Sequence, residues 1–203
     1  MSSAHILDPY IIAIIAEKNK SYLDIGAGSG KWGYLLKISH KPPSYTIGGD
    51  IDIQALKFLK KHKTYDSLVL FDAQHLPFKN KTFDITLCLE VLEHLEKRDV
   101  ITIFSEHERT AKEKTVFSTP LLGATYWYSE DYHTSKWTPG DFRMEGYTVR
   151  GVGFSFFGRY TTEKLVFGLA PLAYYFPWMS FILLAWKEIR LKRKICGSII
   201  QRS

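Results

Sequence analysis

Along the chain, short apolar runs alternate with longer segments of helical period, separated by clusters rich in Gly, Pro, Ser and charge. That alternation predicts βα units feeding a mainly parallel sheet. Asp8-Pro9 reads as a helix start, with a carboxylate free to cap orphan amides and a proline tolerated in the first turn. Tyr22 to Ile25 then reads as a strand, Lys31 to Ile38 as a helix and Tyr45 to Gly49 as a second strand. Ile53 to Lys61 is a helix with Ala55, Leu56 and Leu59 on one face. Strands follow at Ser67 to Phe71 and Phe83 to Leu89. Val91 to Leu95 opens a helical stretch that the pattern allows to run on to Lys112, and Thr115 to Ser118 is a fifth strand, stopped by Pro120. Thr138-Pro139-Gly140-Asp141 has the composition of a capped helix start, and Tyr147 to Phe154 alternates like a strand.

Leu165 to Trp186 contains no charged residue over 22 positions, enough for a helix to cross about 30 Å of hydrocarbon. Pro171 and Pro177 interrupt it. A span would also hold the basic residues that follow on the cytoplasmic side and put the preceding domain across the membrane. The expected arrangement is a short helix Phe167 to Tyr175, a turn at Phe176-Pro177 and a last strand Phe181 to Trp186. The chain thus divides into an N-terminal helix (1–20), an α/β domain (21–187) whose apolar segment 165–186 includes the last strand, and a basic tail (188–203).

Composition narrows the classes further. With 203 residues, 45% of them hydrophobic, one sizeable core is available, and a disordered chain or a disulfide mini-scaffold is excluded. Two cysteines, Cys88 and Cys196, build no disulfide framework, so a reducing compartment fits. The formal charge of +6 suggests nucleic acid only until it is located. Lys187, Arg190, Lys192, Arg193, Lys194 and Arg202 stand against Glu188 alone, so nearly all the excess lies at the C-terminal end and the body is close to neutral. The apolar stretch Tyr10 to Ala16 follows Asp8 and precedes Glu17-Lys18-Asn19-Lys20, which is not the layout of an export signal.

Leu23-Asp24-Ile25-Gly26-Ala27-Gly28-Ser29-Gly30 carries the chemistry, because a strand runs straight into a glycine-rich turn and then a helix. Such a turn lets a ligand approach the main chain, and the helix N-terminus favours polar or anionic groups. A dinucleotide fingerprint needs glycine where Lys31 stands, which argues against a nicotinamide oxidoreductase. The GxGxG spacing, with Asp24 two residues before it, resembles instead the first motif of the class I S-adenosylmethionine-dependent methyltransferases. The resemblance continues through Ile47-Gly48-Gly49-Asp50-Ile51, whose acid is placed to accept from two ribose hydroxyls. It extends to Phe71-Asp72-Ala73, where the acid meets the adenine amine, and to Leu87-Cys88-Leu89-Glu90 at the end of the fourth strand. It covers Ser21 to Phe154 and implies a doubly wound, mostly parallel seven-stranded α/β sheet with an antiparallel last hairpin. The cofactor it implies is S-adenosyl-L-methionine, held by Asp24, Gly26, Ala27, Gly28, Gly30, Asp50, Ile51, Asp72, Ala73, Leu89 and Glu90.

Methyl transfer from a sulfonium needs an acceptor held in line rather than a nucleophilic side chain, but a hydroxyl acceptor must lose its proton. Glu90, Glu93 and His94 form an ExxEH string, and i, i+3 and i+4 neighbours of a helix share a face. The string resembles the metal-ligand cluster of small-RNA 2′-O-methyltransferases and an element of quinone-biosynthesis O-methyltransferases. It equally resembles metal-free relatives in which it begins a helix and lines the pocket. His133 resembles the downstream histidine of the RNA group. His94 and His133 are therefore the candidate bases, with no metal assigned. Tyr126, Trp127, Tyr128, Tyr132 and Trp137 could line an acceptor pocket or pack under a loop.

A neutral body lacks a phosphate-binding stripe, so nucleic acid is disfavoured as a partner. The expected activity is O-methylation of a small metabolite, a glycan or a lipid headgroup by a cytoplasmic enzyme. The C-terminal aromatics and the basic tail are suited to peripheral membrane contact. RNA 2′-O-methylation and a catalytically idle cofactor-binding scaffold are the alternatives.

Overall fold

Seven strands form one sheet in the order β3-β2-β1-β4-β5-β7-β6. In the computed structural model, residues 7–121, 134–152, 172, 174–180 and 182–189 are described. Helix α1 (Asp8–Ile15) precedes β1 (Ser21–Ile25), α2 (Lys31–Ile38), β2 (Tyr45–Asp50), α3 (Ile53–His62) and β3 (Ser67–Leu70). There follow β4 (Phe83–Leu89), α4 (Val100–Thr110), β5 (Ala111–Pro120), α5 (Pro139–Met144), β6 (Thr148–Val152) and β7 (Ile182–Glu188). Strands β1 to β5 pair in parallel, and β7 runs antiparallel to both β5 and β6. The α/β class, the doubly wound order and the antiparallel last strand agree with the sequence expectation.

Both faces of the sheet are covered, which explains why its central strands read as continuous apolar runs. On β4, Ile85, Leu87 and Leu89 turn to the side of α1 and α2, where Leu7, Ile11, Ile15, Trp32 and Leu36 pack, while Cys88 faces Phe104 of α4 and Phe142 of α5. On β7, Leu184 joins the first cluster and Leu183 and Ala185 the second, the alternation a pleated strand imposes.

The elements differ from expectation in four places. The helix foreseen from Val91 is broken into two single 3₁₀ turns, Leu92–His94 and Lys97–Asp99, before α4 starts at Val100. Glu90 takes a left-handed φ of 57° and Leu95 is extended, so no continuous helix can pass through either. Strand β5 begins at Ala111, earlier than the apolar pattern suggested. Its charged residues are paired: Lys112 with Asp84, Glu113 with Lys20 and Lys114 with Glu17 and the Ile14 carbonyl. Strand β7 continues to Glu188, past Trp186, because Lys187 reaches Glu108 at 2.7 Å. The N-cap position is Leu7 rather than Asp8, which lies inside the first turn of α1 and pairs with Lys31.

Of the expected helix Phe167 to Tyr175, Leu172, Tyr174 and Tyr175 are helical, and the remainder lies outside the described residues. Among the described residues no helix is long and apolar enough to cross a membrane. Thr138 caps α5 in a reciprocal box with Asp141, as its composition foretold.

Candidate functional site

Chain order places the switch point of the sheet at β1. From β1 the chain winds outward through β2 and β3, then returns to the other side of β1 at β4. A crevice beyond the strand C-termini results, and the ligand of an open α/β sheet lies there.

The glycine turn enters this crevice from β1. The amides of Gly26 and Ala27 both donate to the Gly49 carbonyl at 2.9 Å, so the turn is fastened to the end of β2. Gly26 takes a φ of +75°, and a Cβ there would lie 2.3 Å from Cγ2 of Val91, just beyond β4. Only a residue without a side chain fits between the β1 and β4 ends. Gly28 and Gly30 also take positive φ, and Gly30 forms the left-handed N-cap of α2.

Asp50, at the end of β2, accepts the Gly28 amide on Oδ2 at 2.8 Å and the Asp52 amide on Oδ1 at 2.9 Å. One carboxylate thus faces the glycine turn with both oxygens oriented by backbone donors. Ile51 beside it is exposed. Asp72 follows β3 and holds its turn by accepting the Gln74 amide at 2.9 Å, with Ala73 half-buried against Phe71 and Leu76. Asp24 is 2% exposed and accepts from the Tyr65 hydroxyl. Its burial raises its carboxyl to about 7, against the lowering effect of that hydrogen bond, and the Asp50 charge adds to the rise. Leu89 and Ala27 are buried, in the cores on either side of the turn.

Across the crevice, Glu90 accepts from Ser118 Oγ at 2.7 Å and Glu93 from Thr119 Oγ1 at 3.2 Å, so the end of β5 supplies a donor to each acid. Burial raises the Glu90 carboxyl above its usual range, and the Glu93 charge raises it further; Glu93 is raised chiefly by its own burial. Two such acids hold a proton between them more readily than two charges. His94 lies on the outer side of the pair, its Nε2 4.0 Å from Glu93 Oε1. Because Glu90 precedes the 3₁₀ turn in a left-handed conformation, the ExxEH residues do not share a helix face as their spacing implied. Among the described residues no group of three or more His, Cys, Asp or Glu is placed to hold a metal ion.

His133, Tyr126, Trp127, Tyr128 and Tyr132 lie outside the described residues. Trp137 is not a pocket residue. It is buried among Phe104 and Phe142, with its indole N–H on Ser135 Oγ at 2.9 Å. Sequence reasoning missed Ser118 and Thr119, the donors to the acid pair, and Tyr65, the partner of Asp24. A hydroxyl in a strand and an aromatic before one are common, so no local signal marks them.

The family model for a methyltransferase domain matches residues 23–118, from β1 through β5. An uncharacterized protein of Methanocaldococcus jannaschii is 35% identical over 98 residues, which is 48% of this chain and 39% of that relative. The chain therefore matches well under half of that relative's length. Among solved structures, the methyltransferase complexed with the Haloferax volcanii Trm112 activator superposes with a TM-score of 0.68 at 15% identity, covering 92% of this chain and 89% of that one. A SAM-dependent methyltransferase from Archaeoglobus fulgidus gives 0.64 at 18% identity, covering 90% of each chain. Magnesium protoporphyrin IX methyltransferase from Synechocystis, solved with bound SAH, gives 0.61 at 14% identity, covering 91% and 80%. At these identities the superpositions establish the shared fold.

Proposed function

We propose that the chain, whose residues 23–118 match the methyltransferase-domain model, is a class I S-adenosylmethionine-dependent methyltransferase that binds S-adenosyl-L-methionine and methylates an oxygen of a small metabolite, a glycan or a lipid headgroup. The observation that carries the reading is Asp50 Oδ2 on the Gly28 amide at 2.8 Å, a carboxylate set against a glycine turn at the switch point of the sheet. The same carboxylate suits a pair of vicinal hydroxyls, and the turn leaves main chain open to a ligand. Asp24, Gly26, Ala27, Gly28, Gly30, Asp50, Ile51, Asp72, Ala73, Leu89 and Glu90 form the binding side.

When bound, the donor supplies an electrophilic methyl group on a sulfonium. The chain must then hold the acceptor in line with it and receive the acceptor's proton. We assign that proton to His94 and His133, with the Glu90–Glu93 pair at the crevice wall beside His94. The reading is tested by incubating the protein with isotopically labelled donor and fractionated cell extract. Label in the small-molecule, glycan or lipid fraction is the expected result; label in RNA would favour the alternative substrate, and no transfer at all would leave a binding module.

Peripheral membrane contact belongs to the same proposal. Leu172, Tyr175, Phe176 and Trp178 are exposed just before β7. The first residue of β7, Ile182, pairs with Pro120 at the end of β5 and Val152 at the end of β6. The chain therefore enters β7 at the end of the sheet that carries the glycine turn. The chain beyond Ile189 adds five basic residues and no acid, a composition attracted to anionic lipid.

A further inference from the structure

Helix α2 starts without a local cap: its N-cap is Gly30, which has no side chain to offer the orphan amides of the first turn. One of those amides, Gly33 N–H, donates instead to the Tyr65 hydroxyl at 3.2 Å, from 32 residues away in sequence. The same hydroxyl donates to Asp24 Oδ2. A continuous chain thus runs from the helix amide through Tyr65 to the Asp24 carboxylate. The Tyr65 ring is slotted between two glycines, since a Cβ at Gly33 or at Gly48 would lie 2.6 Å from its carbons. Leu56, Leu59 and Ala27 close the rest of its surroundings, and Tyr65 is 7% exposed.

We propose that Tyr65 is a positioning residue for the methyl donor: its hydroxyl ties the Asp24 carboxylate to the first turn of α2 and fixes the negative charge that a cationic donor meets beneath the glycine turn. This rests on the donor being S-adenosylmethionine, whose sulfonium makes it cationic at the reacting end. Tyr65 serves as donor throughout, because burial and the adjacent Asp24 push its own ionisation well above the ordinary value. The charged or titratable groups that act on Asp24 are Tyr65, which favours its anion, and Asp50, which opposes it; Cys88 in turn feels Asp24. Removing the hydroxyl leaves the Gly33 amide and the Asp24 carboxylate short of a partner and favours the protonated acid.

The test is Tyr65→Phe, read by calorimetric titration with S-adenosylmethionine from pH 6 to pH 9. Wild-type affinity should fall as pH drops through about 7, where Asp24 takes up its proton. If the variant's step moves up by about one unit, affinity at pH 7 falls about five-fold while affinity at pH 9 is retained. In the donor-free protein, carbon-13 shifts of the Asp24 carboxyl should show the same upward displacement of its midpoint. A merely structural tyrosine would weaken binding equally at every pH and leave that midpoint in place, and either result overturns the proposal. Should Tyr65→Phe not fold, Asp24→Asn carries the test, because it must abolish the pH step in affinity; a step that persists overturns the proposal too. Absence of wild-type binding would instead defeat the donor assignment itself, and the carboxyl midpoints would still decide the role of Tyr65.

Discussion

Lys31 Nζ lies 2.5 Å from the Asp8 carboxylate, joining the first turn of α1 to the first turn of the helix that follows the glycine loop. The N-terminal helix is thereby fixed over the face where Leu7, Ile11 and Ile15 are fully buried. Ile11→Ala should destabilise the fold by about 2 to 4 kcal/mol, the range for deleting a buried aliphatic side chain. Asp8→Asn should cost about 1 kcal/mol or less, since the pair is partly solvated. Urea unfolding of both variants checks the order; a larger effect from Asp8→Asn than from Ile11→Ala would make the ion pair, not the apolar face, the anchor of α1.

Asp50 is the acid with backbone donors on both oxygens. Asp50→Ala should weaken donor binding by about 1.5 to 3 kcal/mol, on the order of ten- to a hundred-fold. Calorimetry decides it. Unchanged affinity, or tighter binding of NAD than of the methyl donor by the wild type, would contradict the assignment.

His94→Ala and His133→Ala should each lower turnover by roughly a hundred-fold while leaving donor affinity nearly intact, because neither belongs to the glycine turn or to the acids at the ends of β2 and β3. Chelator should leave the wild-type rate unchanged if these groups act as bases alone. Loss of activity with chelator and its recovery with Mg²⁺ or Mn²⁺ would put a metal there instead. Wild-type rates from both variants would leave positioning as the whole of catalysis.

His107 is fully buried on α4 against Phe117, and among the described residues neither ring nitrogen has a hydrogen-bond partner. Burial lowers its pKa from 6.5 to about 3. The unfolded chain therefore binds a proton that the folded chain refuses between these values. Stability is full above about pH 6.5 and is lost progressively as pH falls toward 3, by up to several kcal/mol. His107→Phe should flatten the acid limb of a thermal-denaturation profile measured from pH 7 to pH 4. An unchanged acid limb would mean that other groups govern it.

Tyr175, Phe176 and Trp178 should bring the protein onto anionic vesicles together with the basic residues beyond β7. Tyr175→Ser with Trp178→Ser should reduce flotation several-fold, and raising salt from low to physiological ionic strength and beyond should release the electrostatic share, since exposed charges are screened beyond about 8 Å at 0.15 M. Binding that withstands both salt and alkaline carbonate would mean insertion. Flotation unaffected by the double variant would remove the aromatic cluster from the contact.

Periodicity disclosed the elements most clearly where burial is two-sided, as in β4 from Phe83 to Leu89, and least clearly where charge is neutralised by tertiary pairing. Lys112, Glu113 and Lys114 hide the start of β5 because their partners, Asp84, Lys20 and Glu17, are remote in sequence. The break after β4 was equally hidden, since the left-handed φ of Glu90 is not a property of the ExxEH spacing.

The sequence by itself determined the βα alternation, the glycine turn, the acids at the ends of β1 to β4 and the capped start of α5, because each follows from local sterics or a local hydrogen bond. Tertiary structure alone decided which groups meet. Tyr65 reaches Asp24, Ser118 and Thr119 reach Glu90 and Glu93, and Val91 closes on Gly26. These contacts depend on strand order and on the packing of helices across the sheet, and residues brought together by a crossover leave no mark in the spacing of either partner.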